Sequence, residues 1–318
     1  APSEDFAVVV RNWIDPRTKI TRHSLWFSRG NPLQSSPLEA GQPDARKPLV
    51  SPDGKWVAFL STRLRPQGWQ QTPAAPIYSE PTVDIWLIQL RPSSYEAGEM
   101  GIAIPLAGPQ KPYGRVYPDQ NYGRLAFSPD SHRLLFIADD GDDPRSAAEI
   151  ESGATIVRQD QGDGYVGFGP ADVWVAELAE APRDRAATRI VRLTDDPYWY
   201  GQPQWSPDGK RIAVHANRTS EQESIRYSFN QNYDIWEINV ETRSLRQLTH
   251  GAGPEFCPRY SPDGSRLVYL TSPRHRGPQF DIYNYGLVTT LETPHASVAF
   301  DFRAANADYR LAGIPVTQ

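Results

Sequence analysis

The sequence predicts an all-β protein built from repeated units, and two recurring phrases carry this prediction. The first phrase is Ser-Pro-Asp, which each time follows an apolar or aromatic residue and precedes a short apolar strand. Its four copies begin at Ser51, Ser128, Ser206 and Ser261. The second phrase is Asp, a β-branched residue and an aromatic residue, and its copies begin at Asp84, Asp172, Asp234 and Asp281. A supersecondary unit that recurs in this way indicates a repeat fold.

The Ser-Pro-Asp phrase predicts a tight hairpin turn. Proline presets φ for the second turn position, and the Asp side chain hydrogen-bonds neighbouring backbone. A following glycine takes the positive φ that other side chains resist. Three copies have this glycine, but the copy at Ser128 has Ser131 in its place, which predicts a less ideal turn.

Each unit reads as four antiparallel strands, which is the blade of a β-propeller. One strand precedes the Ser-Pro-Asp turn and one follows it, the Asp-Ile-Trp phrase opens the third, and stretches such as 189–194 and 244–249 supply the fourth. We predict a single propeller domain over residues 1–318. Five blades are favoured, and six are possible if the C-terminal segment forms most of a blade.

The ends of the chain predict how the propeller closes. Residues 6–10 and 24–27 read as the second and third strands of a blade that lacks its first strand. An unpaired strand edge promotes aggregation. We therefore expect the N- and C-terminal strands to pair, with residues 297–302 or 309–314 as the closing strand.

The combined pattern also resembles a known group of proteins. "Leu-Thr, short loop, aromatic-Ser-Pro-Asp-Gly-Lys/Arg-apolar-Ala" followed by "Asp-Ile-Trp" is similar to the WD-like propeller repeats of TolB-type periplasmic proteins. Similar repeats occur in the propeller domains of prolyl-oligopeptidase-type serine peptidases. Residues 195–270 match best, and the pattern extends over residues 41–290. The resemblance implies a propeller fold and a periplasmic or extracellular location, but one fold hosts many activities.

Composition excludes some classes of function. The net charge of −5 argues against nucleic acid, which would require a basic face. No apolar run approaches the roughly 18 residues of a membrane-spanning helix. The single cysteine, Cys257, cannot form an internal disulfide. We expect a monomer.

Long insertions point to one face of the predicted propeller. They lie between the second and third strands, at residues 11–23, 62–83, 139–171, 217–233 and 271–280. Connections of this kind leave the same face, and function is often found on loops that a rigid scaffold positions. The alternative for any single loop is a tolerated surface insertion.

Aromatic and basic residues on that face are candidates for ligand binding. Tyr198, Trp199 and Tyr200 are three adjacent aromatics that we place in a loop. Such platforms suit peptides, sugars or a partner's side chains, and basic groups can meet a carboxylate. The predicted ligand-binding set is Tyr198, Trp199, Tyr200, Arg115, Tyr117, Arg226, Tyr227, His250, Arg274 and His275. The alternative for each aromatic is packing between blades.

A metal site is a weaker alternative. The acidic runs 139–143 and 160–163 could attract Ca²⁺, which prefers several clustered oxygens. Neither run has the spacing and distal Glu of an EF-hand, so we favour solvated loops and predict no cofactor. The Asp residues of the Asp-Ile-Trp phrases recur in every unit, so we interpret them as structural.

We therefore predict a non-catalytic binding propeller that recognises a protein, peptide or carbohydrate at its insertion-rich face. One alternative is the gating propeller of a prolyl-oligopeptidase-like serine peptidase without its catalytic domain, since the sequence has no Gly-x-Ser-x-Gly elbow. Another is a metal-dependent lyase or hydrolase at the channel mouth, although the six histidines form no His-x-His or His-x-x-x-His pair.

Overall fold

A computed structural model describes most of the chain. The described residues are 6–30, 34–74, 82–91, 100–118, 123–143, 145–154, 169–180, 185–218, 233–250, 255–271, 287–292, 296–300, 310–311 and 314–315. Nearly all regular structure in these ranges is β-strand, and their one helix, α1, spans Ala147–Ser152. Two compact units divide the chain: Ala1–Val157 with Tyr165–Asp195, and Arg158–Gly164 with Asp196–Gln318.

The first unit contains three antiparallel sheets whose strands follow chain order. The first sheet consists of β1 (Phe6–Ile14), β2 (Thr21–Arg29) and β3 (Gln34–Pro37). The second consists of β4 (Arg46–Val50), β5 (Trp56–Ser61), β6 (Asp84–Gln89) and β7 (Ala103–Pro105). The third consists of β8 (Ala126–Phe127), β9 (Arg133–Ala138), β10 (Asp172–Leu178) and β11 (Ala187–Arg192).

The second unit repeats this arrangement. One sheet consists of β12 (Trp199–Trp205), β13 (Arg211–Asn217), β14 (Asp234–Asn239) and β15 (Leu245–Gln247). The next consists of β16 (Glu255–Tyr260), β17 (Arg266–Thr271), β18 (Leu287–Glu292) and β19 (Ala296–Phe300). A short pair, β20 (Arg310–Leu311) and β21 (Ile314–Pro315), follows. Four sheets of four sequential antiparallel strands confirm the predicted all-β propeller class.

The last sheet differs in detail from the sequence-based expectation. Its third strand was expected to open at Asp281, which lies outside the described residues. The strand that pairs with β17 is β18, and β19 pairs with β18. Residues 296–300 therefore form the fourth strand of this sheet, and they overlap one of the two segments that were considered for closing the first sheet. The single-domain organisation and the pairing of the chain ends stay predictions.

The four Ser-Pro-Asp turns share one set of hydrogen bonds. In each, the Ser hydroxyl donates to the Asp carboxylate two residues on, as in the bonds of 2.6 Å at Ser51 and 2.5 Å at Ser206. The backbone N–H of the fourth residue donates to the Ser carbonyl at 2.9 Å in every copy. Side chain and backbone thus close the same short turn, as the sequence predicts.

Ser131 adopts the conformation that glycine has in the other copies. Its φ is +63°, against +72° at Gly54 and +67° at Gly209. The turn therefore has the same geometry as the other three, and it is less ideal only because a residue with a side chain adopts the left-handed conformation. The Ser131 hydroxyl accepts a hydrogen bond of 3.0 Å from the backbone N–H of Asp53, in the turn of the neighbouring sheet. This bond offsets the cost of a left-handed conformation at a residue with a side chain.

The Asp-Ile-Trp phrase is joined to the Leu-Thr phrase by hydrogen bonds. The Thr194 hydroxyl donates to the Asp172 carboxylate at 2.8 Å and accepts from the Val173 N–H at 3.0 Å. In the second unit, the Thr249 hydroxyl accepts from the Ile235 N–H at 2.8 Å. The threonine that follows the fourth strand of a sheet therefore ties that segment to the start of the third strand, and for Asp172 the structural interpretation is confirmed.

The first strands of three sheets contain the same bulge. Each inserts one extra residue into its pairing with the second strand: between Arg46 and Leu49, between Gly201 and Gln204, and between Phe256 and Arg259. The residue that opens each bulge has a left-handed φ and precedes proline: Lys47 (+50°), Gln202 (+49°) and Cys257 (+55°). The core is formed by the faces of adjacent sheets, as in the cluster that joins Leu60 and Ile85 to Leu134 and Phe136.

Candidate binding site at the insertion end

The two ends of each four-stranded sheet have different chemistry. At one end, here called the turn end, the Ser-Pro-Asp turns join the first and second strands. At the other, the insertion end, the second strand leads to the third through the longer connections 62–83, 139–171 and 218–233. Buried charged residues collect at the insertion end of the first unit, so this end is the candidate site.

A network of buried ionisable groups surrounds Asp84 in the first unit. The Asp84 carboxylate lies 3.4 Å from both Arg65 Nε and Lys111 Nζ, and it accepts a hydrogen bond of 2.8 Å from the Tyr113 hydroxyl. Lys111 also donates to the Thr72 hydroxyl at 2.8 Å. These four partners and Asp84 are named the Asp84 network. It joins the connection 62–83 to the connection between β7 and β8.

Burial shifts the pKa values of Lys111 and Tyr113 in the Asp84 network. Desolvation lowers the pKa of Lys111, and the attraction of Asp84 opposes that shift. Desolvation and the same carboxylate raise the pKa of Tyr113 well above its usual range, so the phenol remains a donor. Two cations, one carboxylate and a neutral phenol are thus held together out of water, an arrangement that is stable only while every partner is present.

The Asp84 network orders a compact loop of residues 62–74. The Arg65 guanidinium donates to the carbonyl oxygens of Gln70 (2.5 Å) and Ala107 (2.7 Å). The Gln71 side chain closes the loop by accepting from the Arg65 N–H at 2.9 Å. Fixed from inside in this way, the loop presents Leu64 with 82% of its surface exposed, and Trp69 lies half-buried over Arg65.

The structure places two predicted site residues, Arg115 and Tyr117, inside the first unit. The Arg115 guanidinium pairs with the Asp139 carboxylate at 2.6 Å, and both side chains are buried. Burial raises the pKa of Asp139, and Arg115 opposes that shift. The Tyr117 hydroxyl donates to the Gly169 carbonyl oxygen. Both residues therefore anchor the connection that follows β9.

The acidic run 139–143 is only partly a solvated loop. Asp142 is exposed, as expected, but Asp139 is fully buried against Arg115. Asp143 is paired with Arg145, whose hydrogen bonds lower the pKa of Asp143 to about 2. Within the described residues, no group of three His, Cys, Asp or Glu side chains could hold a metal ion. The run 160–163 lies outside those residues.

In the second unit, the predicted aromatic platform is part of a strand. Trp199 and Tyr200 open β12 and are 1% and 0% exposed, so the expectation of loop-tip aromatics is wrong. The Tyr200 hydroxyl donates to Asp196 at 2.8 Å. Tyr198 remains half-buried at the strand end, with the Arg218 guanidinium 4.5 Å from its ring centre. The first strand of this sheet, β12, begins at Trp199, which is earlier than the apolar residues next to the Ser-Pro-Asp turn indicate.

The remaining predicted site residues have separate outcomes. His250 is exposed, after the Leu-Thr phrase of its sheet. Arg226, Tyr227, Arg274 and His275 lie outside the described residues, so their roles stay predictions. Sequence reasoning missed Arg65, Lys111 and Tyr113. A signal was present, since Ala107 stands where the other two sheets have Thr194, which bonds Asp172, and Thr249.

Repeated four-stranded sheets, shared turns and an end that carries the insertions define the class of protein: a β-propeller. The fold is similar to that of the acylaminoacyl peptidase of Pyrococcus horikoshii, with a TM-score of 0.51 and 13% identity over 95% of this chain and 38% of that chain. It is also similar to the solved TolB structure of Agrobacterium tumefaciens, with a TM-score of 0.45 and 14% identity over 93% of this chain and 80% of that chain. The resemblance to the propeller domains of prolyl-oligopeptidase-type peptidases is confirmed at the level of the fold.

Sequence comparison finds relatives that match parts of the chain. An uncharacterised protein of Agrobacterium fabrum is 30% identical over 168 residues, which are 49% of each chain. The chain spans about half or less of the length of the curated relatives that it matches. No family model matches it. The single described helix, six residues long, falls far short of the length needed to cross a membrane.

Proposed function

We propose that the chain is a non-catalytic binding propeller that recognises a protein or peptide through the 62–74 loop at the insertion end of its first unit. The observation that carries the proposal is the exposure of Leu64 on a loop that Arg65 fixes from inside. Binding to a surface that is already ordered avoids the entropy cost of ordering it. Aromatic anchors such as Trp69 commonly supply much of the binding energy at protein interfaces, and an exposed apolar side chain beside one adds buried area.

Residues outside this loop complete the proposal. In the second unit we retain Tyr198 and His250 as ligand-binding candidates. Tyr198 is half-buried and His250 is exposed, so a ligand can reach both side chains. Arg115, Tyr117, Trp199 and Tyr200 are buried, so we assign them to the support of the insertion end rather than to direct contact. This division separates residues that meet a partner from residues that hold the surface in shape.

The experiment selects ligands from a random peptide library with the purified protein and, in parallel, screens a glycan array. We expect peptides, and we expect Leu64→Ser and Trp69→Ala each to weaken the selected peptide by on the order of 2 kcal/mol, roughly thirtyfold. Ile102→Ser is the matched control, because Ile102 is 84% exposed at the turn end of the same sheet.

Three outcomes contradict the proposal or redirect it. Peptides that bind both loop variants as tightly as the wild type place the site elsewhere. Equal losses in Leu64→Ser and Ile102→Ser show that general stickiness, not recognition, was selected. Glycan binding without peptide binding replaces the protein partner by a carbohydrate.

A second candidate function is the gating propeller of a serine peptidase. Its support is the similarity in fold to an acylaminoacyl peptidase, of which this chain covers 38%. The test is the full coding sequence: a downstream Gly-x-Ser-x-Gly elbow followed by Asp and His favours the peptidase. A complete open reading frame without an elbow eliminates it.

We also propose a monomeric protein of the periplasm or the extracellular space. The support is the resemblance of its repeats to those of TolB-type periplasmic proteins. Cell fractionation with compartment markers tests the location, and light scattering after size-exclusion chromatography tests the mass against 35.7 kDa. Recovery in the cytoplasmic fraction, or a mass twice that value, contradicts the corresponding part.

A further inference from the structure

A cavity lies between the first strands of two neighbouring sheets in the first unit. Its volume is about 190 Å³. Most of its wall is apolar and includes Leu49, Leu60, Val116 and Leu125. Two basic residues, Lys47 and Arg124, also line it, and the described lining includes no acidic side chain. The cavity is separate from the 62–74 loop.

Interruptions in two strand pairings create this space. The pairing of β4 with β5 skips Lys47 and Pro48 at the bulge. In the next sheet, Val116 pairs with Ala138 and Ala126 pairs with Leu135, and the described residues between Val116 and Ala126 show no further pairing of this kind. The cavity lies beside both places, since Lys47 and Pro48 from the first and Val116 and Leu125 from the second line it.

The corresponding place in the second unit is bridged by side chains. There the Gln202 amide oxygen accepts a hydrogen bond of 3.0 Å from the Arg259 guanidinium, across from β12 to β16. In the first unit, the equivalent bulge residue is Lys47, and its ammonium group reaches the carbonyl oxygen of Pro118. One unit thus joins its first strands by a neutral acceptor and a cation, whereas the other has a cation on each side of a cavity.

The size and lining of the cavity select a class of ligand. Drug-sized molecules occupy pockets of roughly 300–1,000 Å³, so this smaller cavity suits a group about as large as one amino-acid residue. Apolar walls favour a branched hydrocarbon, and arginine and lysine favour a carboxylate. We propose that this cavity binds a small branched aliphatic carboxylate. A C-terminal leucine or valine of a peptide has this chemistry, and so does a free branched-chain acid.

The test uses N-acetyl-L-leucine as the probe and isothermal titration calorimetry as the measurement. We expect it to bind the wild-type protein at least roughly tenfold more tightly than N-acetyl-L-leucinamide, which lacks the charge, and N-acetylglycine, which lacks the hydrocarbon. Arg124→Gln should reduce affinity by a similar factor. Leu49→Phe should abolish binding because the larger ring fills the cavity.

Controls separate loss of binding from loss of folding. Lys55→Gln removes a cation from the turn end of the same sheet and should leave affinity unchanged. Circular dichroism and thermal unfolding check each variant, and Arg124→Gln tests the proposal if Leu49→Phe does not fold. No binding of any probe to the wild type, equal binding of the acid and the amide, or unchanged affinity in both folded variants overturns the proposal.

A peptide arm identifies the source of the carboxylate. The tetrapeptide Gly-Gly-Gly-Leu is compared with its C-terminal amide. Binding of the free peptide at least as tightly as N-acetyl-L-leucine supports the proposal with a peptide terminus as ligand. Binding of the small acid alone supports it with a free acid as ligand.

Discussion

The sheets β4–β7 and β8–β11 each depart from the repeat at one place, and the two departures have the same consequence. In β4–β7, the threonine that should bond the phrase Asp is replaced by Ala107, and Asp84 instead contacts Arg65, Lys111 and Tyr113. In β8–β11, Asp172 keeps its Thr194, but the turn glycine is replaced by Ser131. Ser131 instead bonds the Asp53 N–H of the other sheet.

The comparison shows how a repeat protein acquires features that are not repeated. A phrase that satisfies its own polar groups locally has no need of other parts of the chain. Where one local partner is absent, a contact from a distant segment replaces it, because a buried polar group left unpaired is costly. The Asp84 network, which shapes the 62–74 loop, is such a replacement.

The largest expected effect separates the two Asp residues. Asp84→Ala leaves Arg65 and Lys111 buried without their carboxylate, so we expect it to reduce the free energy of unfolding by about 3–5 kcal/mol. Asp172→Ala should reduce it by only about 1–3 kcal/mol, because its partner Arg192 reaches solvent. Denaturant unfolding of both variants measures the difference. Equal losses of unfolding free energy in the two variants would show that the Asp84 network is no more important to stability than the local bonds of Asp172.

Thr194→Val tests the local bond in β8–β11. Valine has the same shape, but it removes the donor to Asp172 and the acceptor of the Val173 N–H. We expect a loss of about 1–2 kcal/mol, since a buried N–H is left unsatisfied. Thr188→Val is the control, because Thr188 lies on β11, shortly before Thr194, and its hydroxyl donates to the Glu177 carbonyl oxygen at an exposed position. A Thr194→Val variant as stable as the control would show that the threonine does not hold the phrase.

Ser131 offers a test in which strain and bonding can be separated. Ser131→Ala keeps the left-handed conformation and loses the bond to the Asp53 N–H, so it should destabilise by about 1 kcal/mol. Ser131→Gly loses the same bond but relieves the strain, and should be close to wild type. Thermal unfolding ranks the three proteins. An alanine variant that melts with the wild type would mean that the contact between the turns adds no stability.

The smallest expected effect concerns the Ser-Pro-Asp turn, which both sheets contain. Burial raises the pKa of Asp53 and Asp130, but the Ser hydroxyl and backbone bonds outweigh it, so both pKa values lie below the usual 3.8. A depressed pKa stabilises the fold above about pH 4, and this contribution is lost as the pH falls through the folded-state value. Ser51→Ala should raise the pKa of Asp53 alone, as measured by NMR titration. A parallel shift at Asp130 would show that the turns are coupled.

The features that recur in each sheet could be predicted from the sequence. The Ser-Pro-Asp turns, the strands after them and the structural role of the phrase Asp residues all follow from local chemistry. The Asp84 network did not follow, because Lys111 and Tyr113 reach Asp84 across 27 and 29 residues of sequence. Nothing in the sequence around either residue indicates such a contact, and only the missing threonine at Ala107 points to it.

The first strands were harder to predict for a different reason. Each bulge inserts one residue, so the alternation of inward and outward side chains changes phase in the middle of the strand. The alternation of apolar and polar residues that indicates a strand is lost at the bulge. For this reason the sequence of Tyr198–Tyr200 predicts a loop. Left-handed residues before proline are disfavoured twice, by chirality and by the proline ring, so local preference also argues against the strand.

One of these bulges contains a cysteine that can carry a spectroscopic label. Cys257, the only cysteine of the chain, opens the bulge of β16 and is partly exposed. A thiol-reactive fluorophore or spin label would therefore attach at one defined position without any engineered substitution. That position lies on a first strand, beside His215, whose Nδ1 accepts the Cys257 N–H at 3.3 Å. The native sequence thus provides its own reporter for movements of the first strands.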